Sequence, residues 1–440
     1  MRRVSLLILI VAYSLKISAQ NDNLIFKLEL NLLNKQYDSV LVLVNQHIEN
    51  DSLDERLFYY LGKAHLAKNK YFEAIKNFEK ANKLDSANAS FENSLAEVYD
   101  FIGKDEEAID IYYNQYLRDT FVLEPIVKLA NIFRKKKEFT PAIHYYQKAI
   151  VSDPENFYYH KQLAYCYDKI NIPIGAIYSY KTAIMLNPND LSLYIQLANI
   201  LNSERMFSET IKTCNQGLKI QIDNGQLYKL RSYAYYLNHE FDSSIVGFNK
   251  LIEQGDSTFF NFKYRGLAYF EKKEFVNSIM DLSEAYEINK NDAELTFYLG
   301  SAFGRSNQNW DGMVYLNRSL DLLSPSPNEL SNIYSEMSLI LKNQEKYDKA
   351  LEYLKLAYKA NATPLLSFKM AQLYDYFLEN KKLAINYYDG YLAMANQPDT
   401  LIADSSVVIE NAFTRDKKVI ENAKERIRIL KEELFFEEAR

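Results

Sequence analysis

A unit of 34 residues recurs along this chain of 440, and that period limits what the chain can become. Repeated short units do not pool their apolar residues into one core; each packs only on its neighbours. The unit is clearest at Leu123–Asn156, LEPIVKLANIFRKKKEFTPAIHYYQKAIVSDPEN. Leu129-Ala130 and Phe133, then Phe139, Ala142, Tyr146 and Ala149, fall three or four apart, which predicts two amphipathic helices around a polar break at Arg134–Glu138. Thr140-Pro141 is expected to open the second helix, since Thr caps and Pro suits the first helical position. Asp153-Pro154 is expected to close it, because a residue before Pro avoids the helical region. Shifted by 34, Phe157–Asp190 repeats the pattern with Leu163-Ala164, Tyr167, Ala176, Tyr180, Ala183 and Pro188.

Counted from the first residue of each unit, nine units begin without insertion at Asn21, Glu55, Ala89, Leu123, Phe157, Leu191, Gly225, Phe259 and Ala293. Position 8 is small in most of them, as at Gly62, Ala130, Ala164, Ala198 and Gly300, and so is position 20, as at Ala74, Ala142 and Ala176. Position 24 is mostly large, as at Phe78, Tyr146, Tyr180 and Leu316. Small residues let helices approach and the large ones fill the spaces between. Leu28 and Val40 break the rule in the first unit, where a terminal repeat is expected to be atypical. After Ser324-Pro325-Ser326-Pro327, whose prolines oppose continuous helix, Pro327–Leu330 reads as a Pro-containing insertion, either a bend or a longer loop. A tenth unit then starts at Ser331, and an eleventh lies near Pro364–Gln397 with one extra residue between its helices. Asp399–Ser406 reads as a polar connection. Val419, Ile420, Ala423, Ile427, Leu430 and Leu434 mark a final capping helix.

The pattern resembles the tetratricopeptide repeat, a helix–turn–helix of 34 residues with L-G-x2-Y, then A-x3-F, then P. It departs in having Trp only at Trp310 and few turn prolines, with Tyr and Phe taking the packing role. The resemblance covers residues 21–326 as nine contiguous repeats and 331–398 as two more, with 327–330 inserted and 399–440 as linker and cap. It implies an all-α, right-handed superhelical solenoid of about eleven repeats. It further implies a scaffold that binds a protein or extended peptide in its concave groove, similar to exported repeat proteins of Gram-negative bacteria that serve envelope assembly and secretion.

Residues 1–20 carry a separate signal. Arg2-Arg3, the apolar Val4–Val11 and the small Ser18-Ala19 before Gln20 read as a secretory signal peptide, cut where the first repeat begins. The expected location is therefore periplasmic or elsewhere in the cell envelope, with secretion as a variant. No later stretch is apolar enough to span a bilayer. The net charge of −6 gives no reason to expect nucleic acid, whose binding surfaces are normally basic. Cys166 and Cys214 read as buried small hydrophobes.

HExxH, GxSxG, P-loop and CxxC patterns are absent, the histidines His47, His65, His144, His160 and His239 are scattered, and no enzyme activity, cofactor or metal is expected. What the resemblance does imply is a groove lined by positions 2, 5, 9, 12 and 13 of the first helices. On repeats four to eight these positions bring Asn131, Tyr158, Lys161, Tyr165, Asn199, Lys229, Tyr233, Tyr236 and Lys263, with Arg134, Asn202 and Phe260 beside them. Lys supplies charge for a carboxylate and Asn supplies a donor and an acceptor. Tyr supplies flat area and a hydroxyl. Family members that grip carboxylates use Lys at position 5 and Asn at position 9, and no single repeat here carries both. The predicted ligand is an extended acidic segment along a row formed by Lys161, Lys229 and Lys263. The rival is a glycan stacked on Tyr158, Tyr165 and Tyr233, which salt would weaken less.

Overall fold

The computed structural model describes residues 23–48, 54–322, 326–395 and 417–438, all-α and with no strand among them. The signal segment Met1–Gln20 and the connection Asp399–Ser406 lie outside the described residues. Two compact units divide the chain, Met1–Glu204 and Arg205–Arg440.

The first unit contains α1 (23–33), α2 (Tyr37–Ile48), α3 (Glu55–Ala67), α4 (Tyr71–Leu84), α5 (Ala89–Phe101), α6 (Asp105–Arg118), α7 (Leu123–Lys135), α8 (Phe139–Ser152), α9 (Phe157–Lys169), α10 (Pro173–Leu186) and α11 (Leu191–Ser203). From α3 onward each first helix opens on the first residue of a repeat, and its cap is the last residue of the repeat before. Asp54, Asn88, Asn156 and Asp190 each accept from the backbone N–H two residues on, satisfying one of the donors a helix start leaves open. The second helices start differently. Lys35, Asn69, Gly103, Lys137 and Asn171, at position 15 of successive repeats, all take left-handed φ of 58–81°. That turn ends one helix and aims the next, and α4, α6, α8 and α10 carry no side-chain cap. The expected Thr140-Pro141 start is thus corrected. α8 begins at Phe139 and Pro141 is its third residue, where the missing N–H has no intrahelical acceptor anyway.

The second unit contains α12 (Phe207–Ile220), α13 (Gly225–Leu237), α14 (Phe241–Glu253), α15 (Phe259–Glu271), α16 (Phe275–Ile288), α17 (Ala293–Arg305), α18 (Asn309–Leu322), α19 (Pro327–Asn343), α20 (Tyr347–Ala360), α21 (Pro364–Tyr376), α22 (Lys381–Ala395) and α23 (Lys417–Glu438). Pro327–Leu330 is not a loop. It forms the first turn of α19, with Pro at the helix start and a capping box between Ser326 and Glu329. α23 packs on α22, burying Ala423, Ile427 and Leu430, and Arg426 reaches Asp375 on α21.

In repeats two, eight and nine, position 8 of the first helix meets position 24 of the second. A methyl group added to Gly62 would stand 2.5 Å from the Phe78 ring, and one added to Gly300 would stand 2.9 Å from Leu316. Ala130, Ala164 and Ala198 are fully buried at the equivalent place. In the first repeat Leu28 and Val40 are buried too, so that repeat fills its crossing with larger side chains.

Candidate binding wall on the first helices

In the first unit the predicted residues are largely occupied by one another. The Tyr146 hydroxyl donates to Asn131 Oδ1 at 2.7 Å and the Tyr158 hydroxyl donates to the same oxygen at 3.2 Å. Arg134 Nε donates to the Tyr146 hydroxyl at 3.3 Å. Tyr165 is half-buried, with the Phe139 ring on one side and Lys169 Nζ 5.2 Å from its centroid. Asn199 is half-buried; the Ser203 hydroxyl donates to its backbone oxygen, and among the described residues its side-chain amide makes no hydrogen bond.

Lys161 is already paired within the chain. Its ammonium donates to Asp190 Oδ2 and to Ser192 Oγ, both at 2.8 Å, and so ties α9 to the cap of α11. Burial pushes the Asp190 carboxyl up, but Lys161 and Ser192 outweigh it and hold the group below its ordinary value. Lys263, in the second unit, repeats this tie. It donates to Asp292 Oδ2 at 2.8 Å and to Glu294 Oε2 at 2.7 Å, and it is buried. Burial lowers the Lys263 pKa, and the two carboxylates more than offset this. The expected row of three available lysines is therefore corrected. Where the next repeat is capped by Asp, the position 5 lysine is neutralised inside the chain.

Lys229 is the exception. At the corresponding cap stands Thr258, and two residues on, where Lys161 meets Ser192 and Lys263 meets Glu294, stands Phe260. Lys229 Nζ lies 4.6 Å over the Phe260 ring, and no carboxylate among the described residues pairs with it. Phe260 belongs to a cluster of rings. Its centroid is 5.3 Å from Tyr233 and 4.5 Å from Tyr264; Tyr264 is 4.6 Å from Tyr233 and 5.5 Å from Tyr236. Burial raises the Tyr236 and Tyr264 hydroxyls, which stay protonated donors at neutral pH.

A model of the tetratricopeptide repeat matches residues 55–88, 123–156 and 331–364, each opening on the first residue of a helix pair or, at Ser331, one turn inside α19. The chain is built of tetratricopeptide repeats. Such repeats generally act as non-enzymatic scaffolds for protein–protein contacts. The repeat-containing protein YpiA of Bacillus subtilis strain 168 is 26% identical over 187 residues, or 40% of this chain and 41% of that protein. The chain thus spans less than half the length of that relative. Among solved structures, YrrB, a repeat protein with an unusual peptide-binding site, is 19% identical with a TM-score of 0.38, covering 42% of this chain and 94% of its own. The C-terminal part of a repeat protein from Cytophaga hutchinsonii is 16% identical with a TM-score of 0.44, covering 53% and 95%.

Other tetratricopeptide positions hold groups that sequence reading left out. Glu271 ends α15 at position 13. It is open to solvent yet walled by its neighbours, whose burial effect raises its carboxyl while His239 and Arg305 oppose. Tyr264 and Tyr298 sit at position 6, which the expected groove pattern omits. Tyr158 and Tyr165 lie in one unit and Tyr233 in the other. The remaining predicted singletons are structural: His47 Nδ1 is 2.7 Å from the Leu43 oxygen, and the thiols of Cys166 and Cys214 are free, buried and pushed up to about 12. Among the described residues no helix is long and apolar enough to cross a membrane, and no His, Cys, Asp and Glu group is arranged to hold a metal.

Proposed function

We propose that the chain is an exported scaffold whose first helices grip a segment of a partner protein, with α13 and α15 as the main contact. Lys229 carries this reading. Its counterparts Lys161 and Lys263 are consumed by carboxylates of this chain, whereas Lys229 meets only a ring and stays available to a partner's carboxylate. Tyr233, Phe260 and Tyr264 beside it offer rigid apolar area at low entropic cost. One exposed ion pair contributes about 0–1 kcal/mol, so the rings must supply most of the affinity. The amide of Asn199 provides polar contacts on the first unit's own wall. Export rests on Arg2-Arg3, Val4–Val11 and Ser18-Ala19-Gln20, and cell-envelope assembly or secretion is the setting this supports.

The test is capture of partners from an envelope extract by the chain lacking residues 1–20, beside the same chain carrying Lys229→Glu and Tyr233→Ala. The double variant should keep its helical circular dichroism and lose the captured protein. Equal capture by both chains would move the contact away from α13 and α15 and end the proposal.

A further inference from the structure

Glu271 is chemically out of place. Position 13 is the carbonyl end of the first helix, where Lys135, Lys169 and Arg305 suit the helix dipole; no other repeat has an acid there. A carboxylate at that end meets the negative pole of the helix dipole and is disfavoured. Glu271 touches no partner: among the described residues it makes no hydrogen bond and no ion pair, and His239 and Arg305 act on it only from a distance. Of the nearby basic groups, His239 rests edge-on against the Phe241 ring at 5.8 Å, and the two permanent cations are already used. Arg305 is held by both oxygens of Glu336, at 2.7 and 3.3 Å, with its guanidinium 5.0 Å over Phe270. Lys263 is held by Asp292 and Glu294.

Around this unmatched carboxylate stand tyrosines. Tyr236 and Tyr298 both lie within electrostatic reach of Glu271 and Glu294. Tyr236 packs on Tyr264 at 5.5 Å, and Tyr298 packs edge-on against Phe270 at 5.1 Å. Carboxylates outnumber basic groups here, with Glu271, Glu294, Asp292 and Glu336 against Lys263, Arg305 and His239, so an anion would be repelled. An ammonium or guanidinium would meet both a counter-charge and the negative faces of aromatic rings.

We infer that α13, α15 and α17 seat a cationic side chain, lysine or arginine, with Glu271 as its counter-ion and Tyr236 and Tyr298 as its walls. This deepens the reading that a partner segment docks on this face: such a segment places a basic residue here and an acidic one at Lys229.

The experiment titrates the full chain, carrying carbon-13-labelled tyrosine, with three capped pentapeptides Gly-Gly-X-Gly-Gly in which X is Arg, Lys or Glu. Tyr236→Phe and Tyr298→Phe assign the resonances. The Arg and Lys peptides should shift both signals saturably, the Glu peptide should not, and Glu271→Gln should weaken the Arg peptide about fivefold with helicity intact. Arg binding no tighter than Glu binding, or unchanged by Glu271→Gln, overturns the inference. If only the Glu peptide binds, at Tyr233 and in a manner abolished by Lys229→Glu, docking on this wall survives and the cationic seat does not. If the seat behaves as expected while the Lys229 and Tyr233 variant still captures its partner, the seat stands and the docking proposal fails.

Discussion

Replacing Arg426 by Ala should release the C-terminal helix. Arg426 Nε and Nη2 donate to the two oxygens of Asp375 at 2.8 and 2.7 Å, and the Asp375 side chain has 0% exposure. Among the described residues the only other hydrogen bond to that carboxylate is donated by the Tyr388 hydroxyl at 3.2 Å. Truncation therefore strands a buried charge with one neutral donor. Breaking a fully buried pair costs about 3–5 kcal/mol, and because Arg426 is 27% exposed, water can replace part of what is lost. A loss of about 2–3 kcal/mol follows. The chain's nearest-neighbour packing confines it to the docking of α23 on α21 and α22. Hydrogen–deuterium exchange of the α23 amides should then quicken roughly 30- to 150-fold while α13 to α17 keep their protection. In an Asp375→Leu background the same Arg426→Ala change should cost less than about 1 kcal/mol, since no charge is left stranded. Unchanged exchange in α23, or equal costs in the two backgrounds, would refute the reasoning.

Ala164→Leu should overpack the crossing of α9 with α10 and lower unfolding stability by about 1–3 kcal/mol in chemical denaturation; an unchanged midpoint would mean that position 8 is not a crossing. Asp190→Asn keeps the helix cap but removes the charge held by Lys161, so the variant should be about 1 kcal/mol less stable at neutral pH. The folded carboxyl is depressed, so its contribution is complete above the ordinary carboxylate range and disappears as pH falls through the folded value; the two denaturation curves should converge in acid. If the chain is exported as proposed, the intact mass of protein from its native envelope should lack residues 1–20, and a mass that includes them would contradict cleavage.

The helix pairs were legible because period, small crossing residues and caps all repeat at the same offsets. The turn between paired helices was less so. Gly103 announces its left-handed conformation, but Lys35, Lys137, Arg205, His239 and Lys273 adopt it too and carry no such mark. Tertiary packing of the flanking helices overrides their preference. The extra turn of α19 was misread because Ser326, Pro327 and Glu329 are as consistent with a capped helix start as with a break. At the wall, residue types were read correctly and their availability was not. Lys161 and Lys263 find carboxylates 29 residues further on, at a cap position already visible in the register, so pairing positions 5 and 34 would have exposed both ties. Glu271 was visible in the same way, as the one acid at position 13. The contact between Arg426 and Asp375 spans 51 residues outside any repeat register and had no sequence signal.

The lysine ties have a mechanical side. Lys161 pins the middle of α9 to the opening turn of α11, and Lys263 does the same between α15 and α17. Opening either joint must break a charge pair as well as separate apolar faces, so the repeats on its two sides tend to melt as one block. Between α13 and α15 the cap is Thr258, and Lys229 has only a ring to lean on. That joint lacks the position 5 tie, and its pair of Lys272 with Asp242 of α14 is exposed and screened by water. Unfolding should therefore divide the second unit there first, and a ligand bridging Lys229 and Glu271 would act as the missing clasp.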